Sequence, residues 1–464
     1  MSLGAGAVAS ALFAWTLLRW AGGLLVPAYD TAFFQQVVWN LGHGGGFSSG
    51  FWPASFLGLH FEPLLVLPAA LERAWPDARL LSILQAIALG ATAPAAYLLL
   101  SALLRPPAPT GTLETPGPGS RRATEGDGDR RRWVAAALAA PVPLWAAVQQ
   151  AARAGFHTEA LALPLLLLAG WAGLRGRTAL CWALALLALT AKEDQAYAVA
   201  VLGALLLWHG PSRRQGAALA AVAIAYGAAV EWAVMPALRG GVTSQVDPYY
   251  RWLHTASPGQ VAAALANPGG WLALAGIVAG LAGLPLLRPA WLALALPPLA
   301  ADLLSAHHPQ PELRLQYALP LVLPLLVAAG LAARHLPPRL PAPAVAALAV
   351  PALLIGALAG PVLGQRGAGP EPALERLRLC AASMPAAASV AADDSAAAAL
   401  ASRPELRLLT EARPGDFVVV DRSGPQPAYV WLPDRERVLV GLAAQGRRLR
   451  CDDGRFQLWS PAGG

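Results

Sequence analysis

The chain alternates long apolar runs with short polar connections. Runs of Leu, Ala and Val recur along the first 364 residues, and several approach the length that a helix needs to cross a membrane. The pattern predicts an all-α polytopic membrane bundle with about eleven transmembrane helices, since a hydrocarbon core needs roughly 20 apolar residues per span. The predicted spans are 4–26, 79–104, 133–151, 159–174, 178–191, 195–209, 216–237, 269–287, 290–304, 317–333 and 343–362.

Two segments between the spans have a different character. Residues 62–72 are apolar but too short to cross the membrane, so they predict a re-entrant or interfacial helix. Residues 105–132 are rich in Pro, Gly and charge, which is typical of a disordered linker. We assign this linker to the cytoplasmic side and give it no chemistry.

Composition supports a membrane location. Hydrophobic residues make up 56% of the chain and charged residues 13%, whereas a soluble domain carries about 25% charged residues. The net charge of +7 does not indicate nucleic-acid binding, because many arginines lie in short loops between apolar runs. Membrane lipids are therefore the expected partners.

The distribution of arginine predicts the orientation. It is concentrated in every second loop, at positions 105, 121–122, 130–132, 175, 177, 213–214, 288, 334 and 339. Loops rich in arginine stay in the cytoplasm. We expect a multi-pass protein of the cell (inner) membrane with a cytoplasmic N-terminus.

The composition changes near residue 365. Residues 1–364 form the predicted membrane domain, and 365–464 predict a soluble α/β domain on the extracytoplasmic side, with a helix at 371–383 and strands at 389–393 and 416–421. Cys380 and Cys451 lie in this domain, where an oxidising compartment would permit a disulfide. Their spacing does not establish that they are paired.

Polar clusters lie at the span ends on the predicted outer side. They contain Asp30; His60 and Glu62; His157 and Glu159; Lys192, Glu193 and Asp194; and His307, Arg314 and Tyr317. A structural role is the alternative for each cluster. Asp30, Thr158 and Asp194 are suited to capping helices, and Glu62 and Glu159 to complementing helix dipoles. No tight metal-binding motif is present in the sequence.

Lys192 is the only lysine in the chain, which otherwise uses arginine for its basic residues. An arginine would serve wherever any cation suffices. A lysine at this one position indicates a site that needs a compact ammonium group.

The ordered set Tyr29-Asp30, Gly58-Leu59-His60-Phe61-Glu62-Pro63, Leu84-Gln85-Ala86, Phe156-His157-Thr158-Glu159 and Lys192-Glu193-Asp194, followed by Leu296-Pro297, Tyr317 and Ala388–Ala392, resembles a known family. This is a family of bacterial and archaeal polytopic membrane proteins known as a domain of unknown function. It is grouped with the C-type (GT-C) membrane glycosyltransferases. The resemblance covers most of the chain and implies a GT-C-like bundle.

The wider superfamily transfers a sugar from a polyprenyl-phosphate or similar lipid at the outer face. Its members commonly use an acidic residue soon after span one as catalytic base or metal ligand, and Asp30 matches that position. The resemblance makes Asp30, Glu62 and Glu193 the catalytic candidates and leaves a divalent metal open as a cofactor. The expected substrate-binding residues are His60, His157, Glu159, Lys192, Asp194, His307, Arg314 and Tyr317.

Two other classes of function stay open. A transporter or lipid flippase would place ionisable residues such as Glu231 near the membrane midplane. A non-catalytic assembly or sensing protein would use the C-terminal domain to bind partners.

Overall fold

The computed structural model describes residues 29–105, 118–153, 155–244, 246–337, 340–360, 372–422 and 435–462. The first predicted span, 4–26, lies outside the described residues. Helices dominate residues 29–360, and a small sheet follows.

The helices are numbered in chain order. They are α1 Tyr29–Gly42, α2 Val66–Glu72, α3 Arg79–Leu103, α4 Pro118–Ala139, α5 Ala146–Arg153, α6 Thr158–Leu174, α7 Thr178–Leu189, α8 Gln195–His209, α9 Arg213–Ala229, α10 Met235–Arg239, α11 Asp247–Tyr250, α12 Pro258–Leu265, α13 Pro268–Gly280, α14 Pro289–Leu292, α15 Leu296–Leu303, α16 Val322–Ala333, α17 Ala342–Ala347 and α18 Val350–Ala359. A π-helical turn, Val230–Val234, joins α9 to α10.

Five helical stretches in the described residues are long and apolar enough to cross a membrane. They are Arg79–Leu103, Gly128–Ala152, Arg213–Arg239, Pro258–Gly280 and Ala342–Ala359. The other apolar helices have 10–17 residues, which is short for a complete crossing. The structure thus supports a multi-span bundle without confirming the predicted count of about eleven spans.

Leucine and alanine side chains on α3, α6, α8 and α16 form the core of the bundle, including the fully buried Leu99, Leu167, Leu202 and Leu325. The hairpin of α8 and α9 is packed backbone against backbone. A Cβ added at Gly216 would lie 2.2 Å from the amide nitrogen of Leu207, so only glycine permits this separation. Close approach through small residues is typical of helices packed in lipid.

The segment 105–132, predicted to be a disordered linker, is described only in part. Residues 118–132 form the first turns of α4, whereas 106–117 lie outside the described residues. Arg and Glu favour helices, and the apolar end of α4 lets the helix extend back into polar sequence.

The C-terminal region is an α/β unit. Its elements are α19 Pro372–Ala381, β1 Val390–Ala392, α20 Asp394–Leu400, β2 Leu406–Leu408, β3 Phe417–Asp421, α21 Arg435–Ala444, β4 Arg448–Asp452 and β5 Phe456–Ser460. The strand order is β2-β1-β3-β5-β4. Strand β1 is parallel to both its neighbours, and β5 is antiparallel to both of its own. The helix and two strands predicted here are confirmed, and Cys380 is bonded to Cys451 across a Cα separation of 6.3 Å.

This α/β unit is docked on α1 rather than held apart from the bundle. Phe33 and Val37 of α1 belong to the same buried cluster as Val390 and Phe456 of the sheet. Gln35 Nε2 donates to Ser402 Oγ at 3.0 Å. The sequence predicts two domains, but the structure gives them a common hydrophobic core at α1.

Arginine–carboxylate pairs strengthen the same junction. Arg79 Nη1 lies 3.1 Å from Glu375 Oε1, and Arg378 Nη2 lies 2.5 Å from Asp77 Oδ2. These pairs join the N-terminal end of α3 to α19. Since α1 carries Asp30, the docked unit packs on the element that holds one of the polar clusters.

Candidate functional site

A cavity of about 780 Å³ opens beside α1, at the end of the bundle that carries the α/β unit. Ten of the eleven candidate residues from the sequence line it, although they come from five separate chain segments: Asp30, His60, Glu62, His157, Glu159, Lys192, Glu193, Asp194, His307 and Tyr317. The segments meet because α6 starts at the end of the bundle where α7 stops. The polar residues that flank these helices therefore face one another.

Arg314 is the exception. It is not among the residues that line the cavity. Its side chain is 60% exposed and its Nε lies 2.6 Å from Glu312 Oε2. The residue before Tyr317 that does line the cavity is Gln316, which is 8% exposed.

Lys192 is the permanent cation of the cavity wall. Its Nζ lies 2.5 Å from Glu159 Oε1 and 3.8 Å from Asp194 Oδ2. Burial opposes its charge, but these carboxylates outweigh burial and raise the pKa of Lys192 well above its usual value. Lys192 therefore carries a full positive charge while 12% of its side chain is exposed.

Glu193 is engaged by two donors on the opposite wall. His60 Nδ1 lies 3.0 Å from Glu193 Oε1, and the Phe61 amide donates to Oε2 at 2.8 Å. Burial raises the pKa of Glu193, but His60 and Lys192 lower it by more, and it falls to about 2. A carboxylate with so low a proton affinity is a poor general base. Its geometry suits positioning His60 instead.

Glu62 has the opposite environment. It is 1% exposed, and its Oε2 has no hydrogen-bond partner in the part of the chain that the structure describes. Burial, helped by the negative charge of Glu159, raises the pKa of Glu62 well above its ordinary value. Glu62 thus favours the neutral acid, which donates a hydrogen bond rather than accepting a proton.

Asp30 lies in the first turn of α1, where its Oδ2 is 3.8 Å from His157 Nε2. Its side chain is 36% exposed and lines the cavity. Burial raises the pKa of Asp30, and His157 and His60 offset part of that rise. Asp30 is therefore a carboxylate with an accessible oxygen and a higher proton affinity than usual.

The alternative of simple helix capping accounts poorly for this cluster. Asp194 occupies the position before α8, but its side chain accepts no capping hydrogen bond from the backbone. Thr158 is the first residue of α6 rather than the residue before it. Asp30 is inside α1 rather than before it. The polar groups face the cavity more than they serve the helix ends.

Gln85 of α3 holds the loop that presents His157. Its Oε1 accepts from the His157 amide at 2.7 Å, and its Nε2 donates to the Gly155 carbonyl at 2.6 Å. The hydroxyl of Thr31 accepts from the Phe156 amide at 3.1 Å. Together these contacts tie α1, α3 and the start of α6 into one rigid wall.

An aromatic wall faces the carboxylates. The rings of His307 and Tyr249 are stacked with centroids 4.6 Å apart, and Tyr317 meets His307 edge-on at 6.2 Å. Burial lowers the pKa of His307, so its neutral form is favoured. This wall offers imidazole and phenol groups as hydrogen-bonding partners for an uncharged polar ligand.

The cavity also contains groups that the sequence reasoning did not assign to the site. Asp302 of α15 is 6% exposed and accepts from Gln310 Nε2 at 2.9 Å. Glu231 lines the cavity from the π-helical turn, a feature often found at functional sites. A carboxylate within an apolar run is costly in a membrane, and that signal was available for Asp302.

A preformed metal site is not among these features. Within the described ranges, no group of three or more His, Cys, Asp or Glu side chains is placed to hold a metal ion. The carboxylates are instead distributed around the cavity and engaged by His60, His157 and Lys192.

The fold and the family agree with the expectation from the sequence. The crystal structure of ArnT from Cupriavidus metallidurans bound to undecaprenyl phosphate is similar over 98% of each chain, with a TM-score of 0.50 and 13% sequence identity. At this identity the likeness establishes the fold alone. No curated protein matches the chain.

The comparison with protein families gives a match over most of the chain. The model of the family described as "Predicted membrane protein (DUF2079)" matches residues 23–437. This range contains every candidate site residue and most of the α/β unit. The chain therefore belongs to the DUF2079 family of predicted membrane proteins.

Proposed function

We propose that the protein is a membrane glycosyltransferase that moves a sugar from a polyprenyl-phosphate-type lipid at the outer face of the membrane. The observation that carries the proposal is the shared cavity, in which an accessible carboxylate, Asp30, faces a buried ammonium, Lys192. Sugar transfer from a phosphate needs both a base for the acceptor and a cation for the departing phosphate.

Asp30 is the proposed base. The acceptor hydroxyl attacks the anomeric carbon and passes its proton to Asp30, while the bond between that carbon and the phosphate oxygen breaks. The phosphate leaves with the bonding electrons. Among the three catalytic candidates, Asp30 has the open oxygen and the raised proton affinity that this step requires, whereas Glu193 is held by two donors.

Lys192 is the proposed contact for the departing phosphate. Its ammonium can donate a hydrogen bond to a phosphate oxygen in addition to its contacts with Glu159 and Asp194, because an ammonium has three donors. Glu62, as a neutral acid, can donate to a sugar or phosphate oxygen. His60, His157, His307 and Tyr317 supply further polar contacts to the sugar.

The structural neighbour supports a lipid donor of this class, since ArnT was crystallised with undecaprenyl phosphate. The cavity of this chain combines polar groups with an apolar lining. Phe33, Phe34 and Phe56 line it together with Pro297 and Pro298. A ligand with a charged head and a prenyl tail would use both parts of this lining.

The test is transfer activity in proteoliposomes loaded with polyprenyl-phosphate sugars extracted from the source membrane. Asp30→Asn should reduce the rate constant by at least about 100-fold, the usual contribution of general-base catalysis, with donor affinity nearly unchanged. Arg314→Gln is the matched control, since Arg314 lies outside the cavity, and should transfer at the wild-type rate. Equal rates for Asp30→Asn and wild type would refute the assignment of the base.

A transporter is the second candidate, and the cavity-lining Glu231 and Asp302 favour it, since acids in spans often mark substrate paths. The same proteoliposomes distinguish the two functions. A transporter would move lipid or solute across the membrane without changing it chemically, and Glu231→Gln would abolish that flux. A glycosyltransferase would form a new glycosidic bond. Neither the wild type nor Glu231→Gln would then show flux.

A further inference from the structure

A groove of about 880 Å³ lies where the loop after α1 meets the α/β unit. One wall is the loop itself, over residues 45–55. The other wall is formed by residues of β2 and of the segment that follows it, between Glu405 and Arg413. The groove is distinct from the cavity that holds Asp30 and Lys192.

The loop wall is held in place by buried polar side chains of α1. Gln36 Oε1 accepts from Ser49 Oγ at 2.6 Å and from the Gly50 amide at 2.8 Å. Asn40 Nδ2 donates to the Ser48 carbonyl at 2.9 Å. Because Gln36 and Asn40 are themselves buried, the shape of this wall is set before a ligand binds, which lowers the entropic cost of binding.

The lining combines aromatic surface with paired donors and acceptors. Phe47 and Trp52 lie on the loop wall, and the Trp52 indole N–H has no hydrogen-bond partner among the described residues. On the opposite wall, Arg407 Nη2 lies 2.5 Å from Glu405 Oε2, while Asp416 holds the buried Arg407 from the other side at 3.1 Å. A guanidinium donates and a carboxylate accepts, so this pair suits hydroxyl groups, which do both.

Two other classes of ligand fit this groove less well. An extended peptide would add to the sheet at its edge strand, β2. The loop covers that strand so closely that a Cβ added at Gly50 would lie 2.3 Å from the Leu406 carbonyl oxygen. A phosphate or another anion would meet Glu405 and Glu411, two exposed carboxylates of the lining. A neutral ligand rich in hydroxyl groups avoids both conflicts.

The groove also lies next to the candidate active site. Phe51 lines the groove, and its ring centroid is 5.2 Å from that of Tyr29 and 5.6 Å from that of Phe33. Tyr29 and Phe33 line the other cavity, together with Asp30. One layer of aromatic rings therefore separates the two, and a ligand in the groove is close to the proposed base.

We infer that this groove binds a neutral glycan chain at the outer face of the membrane, and that this chain is the acceptor of the transferred sugar. The acceptor role rests on the proposed function, whereas glycan binding does not. The Phe47 ring packs against the apolar face of a sugar unit, and the pair of Glu405 and Arg407 engages adjacent hydroxyl groups. The end of the bound chain then lies beside Asp30.

Binding is measured on the full-length protein in lipid nanodiscs, which avoid detergents with sugar headgroups. The probe is a fluorescently labelled pool of neutral oligosaccharides released from the envelope polysaccharides of the source cells. The groove variants are Glu405→Gln and Phe47→Ala. The matched controls are Glu375→Gln and Leu379→Ala, since neither residue lines the groove. Glu375 is 42% exposed and paired with arginine, as Glu405 is at 48%, and Leu379 is an exposed apolar residue of α19.

Each groove variant should bind the pool about 10-fold more weakly, the loss expected for one charged hydrogen bond or one aromatic contact. The controls should stay within about 2-fold of wild type, a difference too small to reflect a lost contact. Thermal midpoints establish that every variant is folded. A pool cleaved with periodate and reduced with borohydride lacks adjacent hydroxyl pairs, and wild type should bind it at least about 10-fold more weakly than the intact pool.

Three results would overturn glycan binding in the groove. They are no binding of the intact pool by wild type, equal binding of the intact and cleaved pools, and equal losses in groove and control variants.

Transfer in proteoliposomes separates this inference from the proposed function. Glu405→Gln should raise KM for the glycan about 10-fold at an unchanged kcat, as for a contact that binds substrate and transition state equally. Asp30→Asn should bind the glycan like wild type but transfer slowly. Glycan binding without transfer by wild type would refute sugar transfer and the acceptor role, and the groove would stand as a glycan site. Transfer with equal KM values for wild type and Glu405→Gln would overturn the acceptor role of the groove and leave sugar transfer intact.

Discussion

The pair formed by Lys192 and Glu159 allows structural and functional roles to be separated. Both side chains are nearly buried, with 12% and 4% exposed, and their charged atoms are 2.5 Å apart. Lys192→Met removes the ammonium and leaves Glu159 buried without its main partner. Breaking a buried pair from one side costs roughly 3–5 kcal/mol, so this variant should unfold at markedly lower denaturant concentration.

The double variant Lys192→Met with Glu159→Gln removes both charges. Because no uncompensated carboxylate remains, most of the lost stability should return, and a neutral pair of similar volume is often as stable as the ion pair. The double-mutant cycle of wild type, the two single variants and the double variant should therefore give a coupling free energy of about 2 kcal/mol or more. Function should not return, because the ammonium proposed to meet the phosphate is still missing.

The assay is equilibrium unfolding in mixed micelles followed by tryptophan fluorescence, run beside retention of polyprenyl phosphate on the purified protein. Arg314→Gln is the control for both measurements. A single variant destabilised by less than about 1 kcal/mol would refute the claim of a buried, coupled pair. Recovery of lipid retention in the double variant would refute the functional role of Lys192.

Three further predictions concern the walls around this pair. Since burial raises the pKa of Asp30 above its ordinary value, the transfer rate should fall as the pH drops through that raised pKa and should be constant above it. Asp30→Asn should remove this acid limb from a plot of kcat/KM against pH. Gln85→Leu should lower the free energy of unfolding by about 1–3 kcal/mol, because it leaves the buried His157 amide unpaired, and it should raise KM for the donor. Unchanged stability and an unchanged KM would contradict the role given to Gln85. Gly50→Ala would put a Cβ 2.3 Å from the carbonyl oxygen of Leu406 and should destabilise the docked α/β unit by about 1–3 kcal/mol. The control Gly415→Ala, where nothing lies within 4 Å of the added Cβ, should leave stability unchanged. Calorimetry that found equal effects of the two substitutions would show that the tight contact at Gly50 is unimportant.

The sequence could place the candidate residues on one side of the bundle because they lie at or near helix ends. His157 and Glu159 open α6, and Lys192 and Glu193 follow α7, so alternating helix direction brings them to one end of the bundle. The cavity itself was not predictable. It depends on tertiary contacts such as the hydrogen bond from the His157 amide to Gln85, which are 72 residues apart in sequence.

Other features were beyond a reading of local pattern. Glu231 reaches the cavity through a π-helical turn, and no residue preference marks such a turn in advance. Arg314 was expected beside His307, yet the chain reverses at Leu313 and Leu315, whose φ angles are 51° and 59°. Non-glycine residues adopt this left-handed conformation rarely. As a result, Arg314 lies outside the cavity while Gln316 and Tyr317 line it.

The packing of the α/β unit on α1 shows a third limit. Gln35, Gln36 and Asn40 look like the polar face of a surface helix in the sequence, but all three are buried. Each meets the α/β unit through a hydrogen bond to Ser402 or the Pro404 carbonyl. Amphipathic pattern indicates which face is polar, but not whether water or another protein surface covers it.

The central claim is that the cavity beside α1 holds a polyprenyl-phosphate donor through Lys192. The most direct measurement is mass spectrometry of lipids that co-purify with wild type, with the folded double variant Lys192→Met and Glu159→Gln, and with Arg314→Gln. The account predicts a polyprenyl-phosphate species on wild type and on Arg314→Gln, and its loss from the double variant. Retention of that lipid by the double variant, or its absence from wild type, would contradict the account.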